Sequence, residues 1–269
     1  MALVLAQITD THIGAHPGRN DVNLRAAVRL IASWRPAVDA VLLAGDITEI
    51  GTRAEYTETI EILAGLPMAI YPIVGNHDNA SNLYEAFRHR CPELPDSLRL
   101  NYAVDRFTVR IVAVDTEPID LDWLEATLRQ EPNRPTLVMM HRPPFDTGIW
   151  WMDTMGLAEA PRVEALIRRY PNVELVVCGH VHRPVTTSFG HTTVLVAPST
   201  AVQNGCDLDL ASEPTQTAEP PAFALHTWTG SRFVTNLVPV GVPSTRLRDL
   251  DPAAARFVDS LSGGFEGQG

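Results

Sequence analysis

The sequence predicts an α/β fold built on parallel strands and extended by antiparallel ones into a mixed sheet system. Three observations carry this expectation. Apolar runs alternate with helix-patterned segments through the first part of the chain, an order that implies parallel pairing through right-handed crossovers. The run Val41-Leu42-Leu43-Ala44 stops at Gly45-Asp46, as expected of a strand buried on both faces that presents a carboxylate at its carboxyl end. Short β-like runs then crowd the last third, at Val185 to Phe189, Thr192 to Ala197, Ala222 to Thr227 and Phe233 to Val238.

Taken in order, Leu3 to Thr9 is a strand running into Asp10-Thr11-His12, and a polar stretch with Gly14, Pro17 and Gly18 leads to Asn20-Asp21 as a helix start. Val22 to Trp34 has helical spacing and ends at Arg35-Pro36. The strand Val38 to Ala44 is followed by a helix over Arg53 to Ala64, stopped by Gly65 and Pro67. Met68 to Val74 is the third strand and Ala80 to Phe87 the third helix. Leu100 to Val104 and Phe107 to Val114, with only Asp105-Arg106 between them, read as a hairpin. Asp120 to Leu128 is a short helix, and the strand Thr136 to Met140 reaches His141. Pro143-Pro144 forbids helix and central strand alike, so the chain leaves the sheet there as a loop. A helix over Glu159 to Tyr170 leads to the strand Val173 to Cys178 and to Gly179-His180-Val181-His182. Asp207 to Pro221 reads as a long surface loop. Residues 1–242 form one expected domain, and 243–269 a C-terminal extension that loses pattern and frays from Ser262 onward.

With 269 residues the chain can bury a substantial core. The formal net charge of -11 argues against a polymeric nucleic acid as partner, since that binding draws on clustered Lys and Arg. A small anionic substrate stays compatible if metal supplies the positive charge. Cys91, Cys178 and Cys206 are an odd number at no metal-like spacing, which suits a reduced, cytoplasmic chain. The first residues hold no basic region and no apolar run reaches membrane-spanning length, so neither a cleaved signal peptide nor a membrane span is expected. A homo-oligomer remains open.

Function gathers at the strand ends. In an open α/β sheet ligands bind outside the carboxyl ends of strands. Five strands deliver Asp10, His12, Asp46, Asn76, His141, His180 and His182 there, an oxygen and imidazole set that suits Mn, Fe, Co or Zn. Each motif alone is weak, but Asp-x-His, Gly-Asp-x-x-x-x-Gly, Gly-Asn-His-Asp, a strand-terminal His and Gly-His-x-His follow one another in this order, each just after an apolar strand. Two close cations need a shared anionic bridge, which an Asp supplies, while neutral Asn and His leave the site positive enough to attract phosphate. His16, His89, His191 and His226 lack motif neighbours and read as structural or solvent-facing, as does Asp115. Asp78 reads as a cap for the next helix that could also orient a ligand. Arg142 and Arg183 either touch phosphate or pair with carboxylates.

These five motifs resemble the calcineurin-like metallophosphoesterase superfamily, over residues 3 to about 200. The Pro-Pro loop after His141 and the Gly-His-Val-His-Arg run are similar to the class III cyclic-nucleotide phosphodiesterases and related glycerophosphodiesterases. The resemblance implies a four-layer sandwich of two mixed sheets flanked by helices. It implies two transition-metal ions, one held by Asp10, His12, Asp46 and His182, the other by Asp46, Asn76, His141 and His180. His77 would stand outside the metals, donating to a phosphate oxygen or protonating the leaving group. One departure is His141-Arg142, where many relatives carry His-His. The expected activity is hydrolysis of a small phosphodiester, a cyclic nucleotide such as cAMP or a glycerophosphodiester, by hydroxide held between the metals. A phosphomonoesterase is the alternative. A non-catalytic scaffold is the other class, and the complete ligand set speaks against it. The loop Phe145 to Gly156, with Trp150 and Trp151, is expected to select the substrate; packing within the subunit and burial against a partner subunit compete with that role.

Overall fold

Parallel strands buried on both faces have no polar side chains to spend on solvent, and the strands that end in site residues are apolar for that reason. The computed structural model describes residues 2–16 and 18–262. The chain runs β1 (Leu3–Ile8), α1 (Asn20–Ser33), β2 (Ala40–Ala44), α2 (Arg53–Leu63), β3 (Ala69–Ile73) and α3 (Ala80–Phe87). It continues through β4 (Tyr102–Val104), β5 (Arg110–Val114), α4 (Leu121–Gln130), β6 (Thr136–Met140), α5 (Trp150–Asp153), α6 (Ala160–Ile167) and β7 (Val173–Cys178). Then follow β8 (Val185–Phe189), β9 (Thr192–Val196), β10 (Gln203–Asn204), β11 (Gln216–Thr217), β12 (Ala222–Trp228), β13 (Phe233–Pro239) and α7 (Pro252–Ser262).

Two large mixed sheets result, in the orders β13-β12-β1-β2-β3 and β4-β5-β6-β7-β9-β8. Strand alternation builds the layers. In the second sheet Ile111, Ala113, Leu137, Met139 and Val177 join the core of the first sheet and α1 to α3. Their neighbours Val112, Val114, Val138, Met140 and Val176 pack with Leu124 and Leu128 of α4 and Val163 and Ile167 of α6. A period of two thus puts one face of the sheet against the other sheet and the opposite face against helices, the four-layer arrangement that the resemblance implies.

Helix starts follow local chemistry. Thr52 and Glu55 form a reciprocal capping box at α2. Asp120 caps α4 through Trp123 N at 3.0 Å. At α3 the cap is Asn79, accepting from Asn82 N at 3.0 Å, so the capping role expected of Asp78 falls to its neighbour.

Four further differences are tertiary in origin. The stretch Asp207 to Pro221 is not all loop, because Gln216–Thr217 pairs antiparallel with Gln203–Asn204. The Pro-Pro loop contains the turn of helix α5. The C-terminal extension forms a 3-10 turn, Leu247–Asp249, and α7. The expected frayed tail beyond Ser262 lies outside the described residues. β12 pairs with β1 across more than two hundred residues of chain, a partner that no local pattern names. Among the described residues no helix is long and apolar enough to cross a membrane.

Candidate metal centre

The carboxyl ends of β1, β2, β3, β6 and β7 converge. Asp10, His12, Asp46 and His182 bring ligand atoms within 4.8 Å of one another, and so do Asp46, His141 and His180, so Asp46 belongs to both groups. Five of these residues take left-handed backbone angles, with φ of 53° at Asp10, 42° at His12, 47° at Asp46, 74° at His180 and 53° at His182. Such backbone costs about 1–3 kcal/mol per non-glycine residue and survives only where surrounding contacts impose it. Here they do. Asp10 N donates to Gly45 O at 3.0 Å, His12 N to Asp46 O at 3.1 Å, and His180 N to Asp10 Oδ1 at 3.0 Å. A Cβ on Gly45 would collide with the His141 ring, and one on Gly75 with Asp46 Oδ1, so both positions need glycine for close approach.

Hydrogen bonds assign the imidazoles. His12 Nδ1 donates to Glu49 Oε2 at 2.8 Å, His182 Nδ1 to Val202 O at 3.1 Å, and His141 Nδ1 to Ala44 O at 2.9 Å. Each therefore turns Nε2 inward, as a lone pair at His12 and His182 and toward the Asp46 carboxylate at His141. His12 Nε2 and His182 Nε2 face each other at 3.0 Å, and His141 Nε2 lies 3.2 Å from Asp46 Oδ2. Acceptors this close require a proton or a cation between them. Burial and the neighbouring His182 push the His12 imidazole down to about 4, so it does not readily take a proton itself. Burial works against charge on His141, yet Asp46 overrides it and holds this imidazole up at about 9. Burial, His141 and Arg142 keep His180 well below the ordinary range. Nitrogen and oxygen donors, convergent lone pairs and a shared carboxylate fit two first-row transition cations.

Asn76 is exposed on the turn after β3, beside His77, whose N–H donates to Asp46 Oδ1 at 2.9 Å. His77 Nδ1 donates to Glu49 O at 2.8 Å, which leaves its Nε2 free at the cluster's edge. Arg142 pairs with Glu117 and Met155 O, and its Nη1 comes 3.4 Å from His180 Nε2. Arg183 pairs with Glu219 at 3.2 Å. Trp150 and Trp151 are half-buried on α5; Trp151 packs with the helix-side core, while Ile149 and Met152 around them are buried. Neither tryptophan lines the cavity beside His77. Of the histidines set aside, His226 is fully buried, bonded to Gln7 and Thr235, whereas His16 lies at the rim of that cavity. Asp115 holds Leu100 N and Glu117 N and is structural.

Sequence reasoning missed two supporting residues. Glu49 lies three positions after Asp46 in the same loop, and that spacing in the Gly-Asp motif was the available signal. Tyr56 offered none. Its OH donates to Asp78 Oδ1 at 2.8 Å, and the Asp78 carboxylate also accepts from Ile47 N at 3.1 Å, Thr48 N at 3.2 Å and Gly75 N at 2.9 Å. Asp78 thus ties the Asp46 loop to the Asn76 loop. Burial and the Asp46 charge raise it to about 6, against the pull of these donors.

The chain is similar to known proteins. The family described as calcineurin-like phosphoesterase matches residues 3–184. A probable glycerophosphodiester phosphodiesterase of Arcobacter nitrofigilis is 32% identical over 87% of this chain and 91% of its own. The 3',5'-cyclic adenosine monophosphate phosphodiesterase of Escherichia coli (strain K12) is 26% identical over 74% of this chain and 76% of its own. A dimetal phosphatase from Danio rerio shares the fold at a TM-score of 0.65, with 15% identity, over 88% of this chain and 96% of that one. With the family match covering the strands that carry the clustered ligands, the chain belongs to the calcineurin-like phosphoesterase family.

Proposed function

We propose that this chain is a dinuclear-metal-dependent phosphodiesterase acting on small phosphodiesters. The observation that carries the reading is the set of imidazole Nε2 atoms that converge around the shared Asp46 carboxylate. The activities named for the relatives, on glycerophosphodiesters and on cyclic nucleotides, support a diester over a monoester. In this reading Asp10, His12, Asp46 and His182 hold one cation and Asp46, Asn76, His141 and His180 the other, from the group Mn, Fe, Co and Zn. Bound there, the cations supply a lowered water pKa and neutralise charge on the phosphoryl oxygens.

The chain's own residues do the rest. Glu49 fixes His12 in the tautomer that presents Nε2, and its backbone carbonyl fixes His77 in the same way. His77 Nε2 then stands where a proton can pass to the departing oxygen. Arg142 places a guanidinium beside His180, with Nε and Nη2 paired to Glu117 and Nη1 bonded to Met155 O, so it acts through its charge and its hold on the loops around His180. Three free cysteines, two of them buried, suit a reducing compartment such as the cytoplasm.

The test is turnover of bis-p-nitrophenyl phosphate and p-nitrophenyl phosphate by manganese-loaded protein, alongside Asp46→Ala. We expect the diester to be preferred, and Asp46→Ala to abolish turnover and lower metal content at both sites. Turnover of the monoester alone sinks the diesterase reading, and full activity in Asp46→Ala sinks the two-ion centre.

A further inference from the structure

A line of three polar side chains crosses β13, β12 and β1 and ends on a strand of the other sheet. Thr235 on β13 stands opposite His226 on β12, and Gln7 on β1 lies diagonally beyond, two residues along from Leu5, which is opposite His226. Thr235 Oγ1 is 2.8 Å from His226 Nδ1, His226 Nε2 is 3.1 Å from Gln7 Oε1, and Gln7 Nε2 donates to Cys178 O of β7 at 2.8 Å. Gln7 and His226 are fully buried.

The last bond fixes the direction of the others. Cys178 O only accepts, so the Gln7 amide turns Nε2 to it and Oε1 to His226. His226 Nε2 then carries the proton, and its Nδ1 accepts from the Thr235 hydroxyl. Burial keeps this ring neutral at ordinary pH.

Stability does not call for such a line. When both partners of a buried hydrogen bond are replaced by apolar groups of the same shape, the change is close to neutral. What apolar packing lacks is direction. β1 and β7 lie in different sheets, so no backbone ladder sets the offset of one along the other. The Gln7 amide does so, against a carbonyl that Ala197 N also holds at 2.9 Å. Asp10 follows Gln7 by three residues and His180 follows Cys178 by two, at most about 10 Å and about 7 Å of extended chain. Beyond it the two chain ends meet again, where His180 N donates to Asp10 Oδ1 at 3.0 Å. One such bond is a pivot, whereas two fix an orientation.

We propose that Gln7 is a positioning residue of the metal centre: aimed by His226 and Thr235, its amide sets the offset between β1 and β7, and with it the spacing of Asp10 and His12 against His180 and His182. The proposal rests on the two-ion reading above and gives a role to residues that stand outside both ligand groups.

The experiment is calorimetric titration of the metal-stripped full chain with manganese, alongside Tm without metal, for the wild type, Gln7→Met, Thr235→Val and the double variant Gln7→Met with His226→Leu. Gln7→Met keeps the length and drops the amide, and should weaken manganese binding about 10-fold or more, as losses of supporting hydrogen bonds do. It also leaves the His226 Nε2–H buried without a partner, so its Tm should fall. The double variant removes that orphan as well. Its Tm should return towards the wild-type value while manganese binding stays weak, a split that a purely structural role does not produce. Thr235→Val, at a half-buried position on the edge strand, should show a smaller loss of affinity in the same direction. Wild-type affinity in the double variant, or affinity that follows Tm through all the variants, overturns the positioning role and leaves the two-ion reading standing. A wild type that binds neither manganese nor zinc overturns both.

Discussion

His12 Nε2 and His182 Nε2 point at each other across 3.0 Å while both Nδ1 atoms donate outward, to Glu49 and to Val202 O. Two lone pairs in that position repel until a cation is placed between them. Chelation should therefore cost stability as well as activity, because a cation bound only by the folded chain stabilises it, by about 2.7 kcal/mol at a hundredfold excess over Kd. Tm measured with and without chelator, and again after manganese is restored, checks this. A Tm indifferent to metal would show the histidines to be satisfied in some other way.

Tyr56 has no place in the metal shell, yet its hydroxyl supports the carboxylate that joins the two ligand loops. Tyr56→Phe should raise the manganese concentration needed for half-maximal activity about 10-fold, as losses of supporting hydrogen bonds do, with kcat recovered in excess metal. Recovery by metal separates loop positioning from general damage. A kcat loss that excess metal does not reverse would count against the positioning role.

His77 is tied through its main-chain N–H to Asp46 Oδ1 and through Nδ1 to Glu49 O. As a proton donor it should matter most for poor leaving groups. His77→Ala should keep both metals and slow alkyl diesters about 10²-fold or more, with a smaller loss for aryl diesters whose leaving groups need no proton. Equal losses across leaving groups of different basicity would assign His77 to phosphate binding instead.

His226 gives an acid-stability prediction remote from the site. Burial lowers it from 6.5 to about 3, so as pH falls the unfolded chain takes this proton first. The stability that the neutral ring contributes is complete above pH 6.5 and is lost progressively from there towards pH 3. His226→Gln should flatten the decline by up to about 1.4 kcal/mol per pH unit across that window. Parallel pH profiles of denaturant midpoint for the two proteins would contradict it.

The ligands were legible because their signal is local. A buried strand must be apolar, its end must turn, and a carboxylate or imidazole just past that end is chemically conspicuous; the Gly45-Asp46 and Gly179-His180-Val181-His182 runs show this directly. The period-two alternation in β5, β6 and β7 likewise encodes a sheet covered on both faces. The succession of elements and the identity of the residues offered at their ends are therefore written locally in the chain.

Which groups meet depends on packing between segments far apart in the chain. β12 closes against β1 because the edge of that strand needs a partner, and any of several late strands would satisfy the same pattern. Tyr56 reaches Asp78, Gln216 reaches the cavity and Trp151 turns into the helix-side core only through packing between distant segments. The left-handed turns at Asp10, Asp46 and His180 belong to the same class. A local sequence would avoid such backbone, and it persists because hydrogen bonds from neighbouring strand ends, formed once the sheets have packed, hold it in place.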